Sequence, residues 1–139
     1  MILKVARLVP EAKLPTRKNK TDAGLDFYSI ESIVIHPHSS VAVGTGITVE
    51  VPLGYMFLLK PKGSSQHDIG AGVVDSGYEP GEIKFKVINY SDDFLTIEEG
   101  QAVGQGVLVP VWISEYELVD FKEIDNKSER SGKGGILGL

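Results

Sequence analysis

Short apolar runs, each ended by turn-forming residues, recur along most of this chain and limit its possible folds more than any other feature. Turn groups such as residues 36–39 (HPHS) and 98–100 (EEG) mark the ends of these runs. No stretch of helix length carries a convincing helical period, so the pattern predicts an all-β sandwich or barrel. Strands are predicted at residues 2–8, 25–28, 32–35, 41–49, 55–60, 83–89, 94–97 and 102–113.

The length of the chain, 139 residues of which 42% are hydrophobic, is enough for one packed core and short for two. From about Asp125 the composition changes to Asn, Lys, Ser and Gly. We therefore expect one folded domain over residues 1–124 and a mobile, glycine-rich C-terminal arm over residues 125–139. The sequence contains no cysteine, which removes disulfides and thiolate metal sites as sources of stability.

Charge and the lengths of the apolar runs restrict the class of partner. A net charge of −5 argues against general binding to nucleic acid polymers. No apolar run approaches bilayer length, and residues 1–4 lack the design of a signal peptide, so we expect a soluble intracellular protein without membrane contact. An anionic ligand would have to meet local positive groups, and the candidates are Arg17, Lys18, Lys20, Lys60, Lys62, Arg130 and Lys133.

Residues 72–82 (GVVDSGYEPGE) place a carboxylate and an aromatic ring three residues apart at a junction between strand and turn. The two valines predict the end of a short strand, and the Ser-Gly and Pro-Gly pairs that follow are typical of turns. We expect a hairpin in which the chain reverses into the alternating run at residues 83–87. Asp75 and Tyr78 would then lie on its rim, either as parts of a binding pocket or as an ordinary Asp-initiated surface turn.

This segment resembles the third of five signatures of the trimeric dUTP pyrophosphatase (dUTPase) family, which reads Gly-Val-Ile-Asp-x-x-Tyr. Four further stretches resemble the other signatures in the family's order. They are residues 22–29 (DAGLDFYS) for the first, 61–65 (PKGSS) for the second, 100–107 (GQAVGQGV) for the fourth and 130–138 (RSGKGGILG) for the fifth. The ordered matches cover nearly the whole chain and imply a jelly-roll-like barrel of the dUTPase, or β-clip, type.

The resemblance implies hydrolysis of dUTP to dUMP and pyrophosphate, in which a water molecule attacks the α-phosphate. Asp75 takes the place of the family's general base, a role that suits a carboxylate because it is ionised at neutral pH. Tyr78 corresponds to the ring that packs on deoxyribose and excludes a ribose 2′-hydroxyl. The backbone of Gly72, Val73 and Val74 corresponds to the segment that reads uracil through main-chain hydrogen bonds.

The family resemblance also implies Mg²⁺ that arrives with the nucleotide and keeps most of its own waters. Asp26 is the expected carboxylate for this ion, with contact through water, although a structural Asp at a strand start has the same sequence appearance. Successive N–H groups of a glycine-rich tail can wrap phosphates, and an arginine adds a planar charged donor. Further substrate contacts are expected from Lys62, Ser64 or Ser65, Gln105, Arg130, Gly132, Gly134, Gly135 and Ile136.

Two departures from the family pattern affect the expected affinity. Lys62 stands where the second signature has an arginine, and a lysine cannot reproduce a guanidinium fork. Ile136 replaces the aromatic residue of the tail that stacks on uracil, and such stacking contributes roughly 1–3 kcal/mol per base. We therefore expect the nucleotide site to close less tightly than is usual in the family.

In the family each active site lies between subunits of a homotrimer, so the resemblance implies that three copies of this chain assemble. One chain would give the first, second and fourth signatures to a site, another the hairpin of the third, and the last its C-terminal arm. Two alternative functions fit the same stretches of sequence. One is a regulatory member that binds dUTP with weak or no catalysis, to which the altered second and fifth signatures lend weight. The other is a dCTP deaminase-like enzyme of the same superfamily, which would need an Arg-Ser-Ser segment and a catalytic glutamate after the hairpin.

Three remaining features are expected to be structural. His36 and His38 flank a proline in a turn, where histidines are more often surface residues than metal ligands. His67 and Asp68 are expected in a loop. Trp112 follows an apolar run and is more typical of a core or a subunit interface than of a ligand platform.

Overall fold

The computed structural model describes residues 1–60, 67–69, 72–76 and 81–124, and of residues 67–69 and 73 it describes the backbone alone. Over these ranges the chain is almost entirely strand, which confirms the predicted fold class. Their helical content is a single 3-10 turn at Phe121–Glu123, so none of the described segments forms a helix long and apolar enough to cross a membrane. The strands are β1 Lys4–Arg7, β2 Gly24–Tyr28, β3 Ile33–Ile35, β4 Ser40–Gly44, β5 Ile47–Glu50, β6 Tyr55–Lys60, β7 His67–Ile69, β8 Gly72–Asp75, β9 Lys84–Asn89, β10 Leu95–Ile97 and β11 Ala102–Pro110.

One four-stranded antiparallel sheet positions those residues of the signatures that fall in its strands, among them Asp26, Asp75 and Gln105. Its order is β2-β11-β6-β8, which leaves β8 at an edge. A second sheet has the order β4-β9-β7, and two smaller pairs join β1 to β5 and β3 to β10. Because side chains alternate along a strand, the four-stranded sheet has an inner face toward the core and an outer face away from it.

Three phenylalanines form the centre of the core: Phe27 and Phe57 on the inner face of this sheet, and Phe85 on β9 of the second sheet. The rings of Phe27 and Phe57 are fully buried, with centroids 5.9 Å apart in an edge-to-face arrangement, and the centroid of Phe85 lies 5.8 Å from that of Phe27. A Cβ on Gly106 would overlap the Phe57 ring, and one on Gly104 would overlap the Phe85 ring. The glycines of the fourth signature therefore allow two aromatic rings to lie directly on the backbone of β11.

The single strand predicted over residues 41–49 is wrong, because the chain bends at Thr45 and Gly46 between β4 and β5. Gly46 has a φ of +68°, which few residues with a side chain adopt. A Cβ at this position would lie 2.9 Å from side-chain atoms of Ala12 and of Ile30. The bend sends the two halves of the predicted strand into different sheets.

The predicted hairpin of β8 with β9 is also wrong. Strand β8 pairs with β6, whereas β9 pairs with β4 and β7. The carboxylate of Glu82 accepts the N–H of Gly46 at 3.0 Å. Ile83, which is 4% exposed, donates its own N–H to the Ile47 carbonyl at 2.8 Å. These two bonds fix the chain beside β5 before β9 begins. Strand β9 then lies in the sheet of β4 and β7 rather than beside β8.

Three smaller predictions concern local placement. His67 and Asp68, expected in a loop, lie in β7, where Asp68 is opposite Ile88 of β9. Strand β11 ends at Pro110 rather than at residue 113. Trp112 is 96% exposed, so it does not belong to the core of this chain. The arm predicted over residues 125–139 lies outside the described residues.

Candidate functional site

The outer face of the four-stranded sheet carries polar residues of several signatures. Strand pairing places Asp26 opposite Gln105 and Gln105 opposite Lys60, and it places Asp75 opposite Met56. Directly paired residues of antiparallel strands project on the same face, and so do residues four apart on one strand. The carboxylates, the amide and the ammonium group therefore all lie on the face opposite the phenylalanine core.

A cleft of about 420 Å³ opens at one end of this outer face. Strands β2, β11 and β6 contribute to its lining, together with the loop that precedes β2. Its charged side chains are two lysines and two aspartates, a mixture that suits an anionic ligand carrying a metal ion. The residues of the cleft include Lys18, Asp22, Gly24, Asp26, Lys60 and Gln105.

The side chain of Gln105 lies over Gly24, and this packing depends on the missing Cβ. A Cβ on Gly24 would overlap the amide oxygen of Gln105 and approach its Cδ to 3.3 Å. Gly24 therefore sets the position of the Gln105 amide beside Asp26. A glycine of the first signature and a glutamine of the fourth are in this way parts of one local structure.

The loop at residues 17–22 borders the cleft, and Asp22 ties it together. One carboxylate oxygen of Asp22 accepts both the backbone N–H and the side-chain amide of Asn19, each at 3.0 Å. The Nε of Arg17 donates to the carbonyl of Asp22 at 2.8 Å. Lys18 lies between these two anchored neighbours, so the loop holds its position at the cleft.

Asp26 lines the cleft and is 9% exposed. Its backbone bridges to that of Thr16, with N···O distances of 2.7 Å and 3.1 Å. This bridge continues the four-stranded sheet by one residue and brings the loop with Lys18 alongside β2. Within the ranges that the structure describes, no three His, Cys, Asp or Glu side chains form a group that could hold a metal. The two carboxylates of the cleft, those of Asp22 and Asp26, suit an ion bound mainly by water and phosphate.

Asp75 ends the edge strand β8, and its side chain is exposed. A second cavity of about 90 Å³ lies beside it and is lined in part by Val74, Asp75 and Glu82. Among the described strands β8 pairs with β6 alone, so its other side directs N–H and C=O groups away from the sheet. The carboxylate thus lies next to main-chain groups that none of the other described strands pairs with.

A long distance separates the two ends of the outer face. Asp26 and Asp75 lie on the two outermost strands of the four-stranded sheet, three strand spacings apart. Asp75 pairs with Met56 of β6, whereas Asp26 is level with Lys60 of β6 through Gln105, and Lys60 and Met56 are four residues apart. At about 4.8 Å per strand and 3.3 Å per residue, the two aspartate Cα atoms are roughly 20 Å apart. One triphosphate is much shorter than this, so a single chain does not bring both carboxylates to the same phosphates.

The structure brings together some of the expected site residues and separates others. Asp26 and Gln105 meet in the cleft, whereas Asp75 ends β8 with Gly72, Val73 and Val74 at the far end of the face. Lys18 and Lys60 were predicted only as two of seven cations that could meet an anionic ligand. In the structure both of them line the cleft. The remaining expected residues lie outside the described ranges: Lys62, Ser64, Ser65, Tyr78, Arg130, Gly132, Gly134, Gly135 and Ile136.

Two comparisons of the sequence with known proteins give the same family. The family model described as dUTPase matches residues 10–135 of this chain. The deoxyuridine 5'-triphosphate nucleotidohydrolase of Nautilia profundicola is 32% identical over 144 residues, and the alignment covers 99% of each chain. Both matches include the segments that form the cleft and the edge strand.

Solved structures agree with the fold. A variant dUTPase of Staphylococcus bacteriophage 80alpha, solved with dUpNHpp, superposes with a TM-score of 0.84 at 27% identity and covers 96% of each chain. A variant dUTPase of phage phi11 of S. aureus, whose structure concerns the coordination of a structural Mg(II) ion, gives a TM-score of 0.78 at 28% identity. That comparison covers 89% of this chain and 100% of the phage protein.

Proposed function

The chain belongs to the dUTPase family and is a dUTP diphosphatase, and we propose that Asp75 is the general base of its reaction. The carboxylate of Asp75 accepts a proton from a water molecule, and the oxygen of that water bonds to the α-phosphorus of dUTP. The bond from the α-phosphorus to the oxygen that bridges to the β-phosphate breaks, which yields dUMP and pyrophosphate. The observation that carries this role is the exposed carboxylate at the end of edge strand β8, within the third signature.

The edge position of β8 supports recognition of uracil by the main chain. The outward backbone groups of Gly72, Val73 and Val74 can pair with the polar edge of a base much as an edge strand pairs with another strand. Gly72 is exposed, and a Cβ built on it would meet no atom within 4 Å in the described part of the chain, so a ligand can approach the backbone closely. Tyr78, three residues after Asp75, is proposed to pack on the deoxyribose and exclude a 2′-hydroxyl.

The donor groups at the cleft fit magnesium that the nucleotide brings with it. Asp26, which lines the cleft, would accept hydrogen bonds from waters on Mg²⁺. Bound Mg²⁺ would supply positive charge to the triphosphate oxygens and so stabilise the departing pyrophosphate. Divalent-metal dependence is general in this family, and the choice of Mg²⁺ and of Asp26 is our proposal for this chain.

Further phosphate contacts are proposed for residues beyond the described ranges. Lys62 and either Ser64 or Ser65 belong to the second signature, which follows Lys60 in the sequence, and Lys60 lines the cleft. Arg130, Gly134, Gly135 and Ile136 are proposed to lie in an arm, residues 125–139, that closes over the nucleotide bound to the domain at residues 1–124. Gln105 would donate its amide near the α-phosphate.

The separation of Asp26 from Asp75 supports assembly as a homotrimer with sites between subunits. Two copies can supply the two carboxylates to one nucleotide, which one chain does not do. The outer face between them carries the half-buried apolar residues Met56, Leu58, Val107 and Val109. An apolar strip between two polar ends is the kind of surface that a neighbouring subunit covers.

The segment after β11 supports the same assembly. The N–H of Val111 bonds to the carbonyl of Gly54 at 2.9 Å, and the chain then runs on with its large apolar side chains in solvent. Trp112 is 96% exposed, Tyr116 93% and Leu118 90%. Exposure of several large apolar groups in one short segment indicates a surface that is buried in the assembled protein. We propose that residues 111–124 pack on a neighbouring copy.

A panel of nucleotides tests the proposed reaction. The protein is incubated with dUTP, dCTP, dTTP and UTP in the presence of Mg²⁺, and pyrophosphate and ammonia are measured. We expect pyrophosphate from dUTP at a rate far above that from the other three. Release of ammonia from dCTP would instead identify a deaminase, and tight binding of dUTP without pyrophosphate would identify a regulatory nucleotide-binding protein.

A further inference from the structure

We infer that Lys60 binds the phosphates of the nucleotide, in addition to the residues of the five signatures, and this inference rests on the proposed nucleotide site. Lys60 is the last residue of β6 and immediately precedes the second signature. Its side chain is exposed and lines the same cleft as Asp26 and Gln105. Membership of this cleft distinguishes it from an ordinary surface lysine.

Strand pairing sets Lys60 in a row with the two residues already assigned to the site. The row runs Asp26, Gln105, Lys60 across β2, β11 and β6, with neighbours about 5 Å apart. A carboxylate and an ammonium group therefore flank one amide on a single face. A triphosphate that carries Mg²⁺ has the matching charges, since its metal-bound waters suit the carboxylate and its phosphate oxygens suit the ammonium group.

The charge of the chain explains why a further cation is needed here. The chain carries a formal charge of −5, yet its substrate is a polyanion. Lys62 occupies the position of the family's arginine and provides a point charge with no bidentate fork. Lys60 supplies additional positive charge at the end of the same strand, and Lys18 faces the cleft from the loop that Asp22 braces. We assign the larger share of the phosphate binding to Lys60 rather than to Lys18, because Lys60 lies in β6, whose pairing with β11 fixes its position.

The test removes the positive charge of Lys60 by substitution with methionine, which keeps an unbranched apolar side chain of similar length. Lys60→Met is compared with Lys4→Met, which removes the same charge from an exposed lysine of β1 that pairs with Glu50 at 3.4 Å. Binding of dUpNHpp with Mg²⁺ and binding of deoxyuridine are measured by calorimetry on the full-length protein. We expect Lys60→Met to weaken dUpNHpp binding about tenfold, the scale of a charge-assisted hydrogen bond, and to leave deoxyuridine binding unchanged. Lys60→Arg should recover most of the loss.

Two results would overturn the assignment. The first is a Lys60→Met protein that binds dUpNHpp as tightly as Lys4→Met does. The second is an equal loss for dUpNHpp and deoxyuridine, since a purely structural role would affect a ligand without phosphate as much as one with three. Hydrolysis of dUTP by the unaltered protein is measured in parallel and tests the proposed function separately, because the binding comparison does not depend on turnover.

Discussion

The inner and outer faces of the four-stranded sheet are formed by alternate residues of the same strands, yet they meet different requirements. On the inner face Phe27 and Phe57 are fully buried, and Gly106 leaves just enough space for an aromatic ring. On the outer face Gln105, the neighbour of Gly106, lies in a cleft with charged side chains. One chain completes the packing of the inner face. On the outer face, however, Asp26 and Asp75 of one chain are too far apart to serve one nucleotide.

This contrast separates two kinds of substitution. A change on the inner face alters how well one chain packs, so its main effect should be on the free energy of unfolding. A change among the polar groups of the outer face removes little buried apolar contact, so its main effect should be on binding or turnover. An outer-face substitution that mainly lowers the free energy of unfolding, or an inner-face substitution that mainly lowers turnover, would contradict this division.

The largest effect is expected from Asp75→Asn on the outer face. The amide keeps the size of the side chain but cannot accept the proton of the attacking water, so kcat should fall by about two orders of magnitude or more. Because the carboxylate is exposed, the thermal unfolding temperature should stay close to that of the unaltered protein. Steady-state release of pyrophosphate and calorimetric unfolding measure the two quantities. Turnover at the unaltered rate would remove Asp75 from the mechanism.

The same variant tests whether two copies complete the outer face. Asp75→Asn is mixed with Asp26→Asn, the subunits are allowed to exchange, and activity is compared with that of each variant alone. In randomly mixed trimers roughly a quarter of the sites would take an intact aspartate of each kind from different subunits. A clear recovery of activity is therefore expected. A mixture no more active than its components, although subunit exchange is demonstrated, would contradict sites shared between subunits.

A smaller effect, now on stability, is expected from Gly106→Ala on the inner face. The added Cβ would overlap the ring of Phe57, which is fully buried and bounded on another side by Phe27. Overpacking of this kind should lower the free energy of unfolding by about 2 kcal/mol, measured by denaturant titration. Phe57→Leu in the same chain should relieve the overlap, so the double variant should lose less stability than the sum of the single changes. If the loss of stability in the double variant equalled the sum of the two single losses, the ring of Phe57 and Gly106 would not be in contact.

The prediction from sequence succeeds where a pattern is local and fails where two segments must be placed together. Alternation in the segment of β9 and the turn groups between short apolar runs were sufficient for the all-β fold. The bend at Gly46 was not predicted, and the need for glycine there depends partly on Ala12 and Ile30, which are distant in sequence and would lie 2.9 Å from a Cβ at this position. The predicted hairpin of β8 with β9 was wrong because it also overlooked a contact between distant segments. The carboxylate of Glu82 accepts the N–H of Gly46, which holds the chain beside β5.

The candidate site shows the same limit. Asp26, Gln105 and Asp75 could be named because each lies in a short motif. The resemblance implied that Asp75 reaches a site from a different subunit than the other two, but the distance between them within one chain could not be predicted, because it follows from the order of four strands in a sheet. Lys60 was one cation among several until pairing with Gln105 placed it in the cleft.

The smallest effect is expected from Gly24→Ala, which is the outer-face counterpart of Gly106→Ala on a neighbouring strand. Its Cβ would meet the end of the Gln105 side chain, which can swing away, so the free energy of unfolding should change by less than about 1 kcal/mol. The displaced amide would no longer lie beside Asp26, and kcat/KM for dUTP should fall about tenfold. In a Gln105→Ala background the same change should have almost no further effect on kcat/KM, because the group that it displaces is gone. A full tenfold loss in that background would mean that Gly24 acts on the nucleotide directly, and a loss of stability as large as that of Gly106→Ala would mean that the two faces do not differ as we describe.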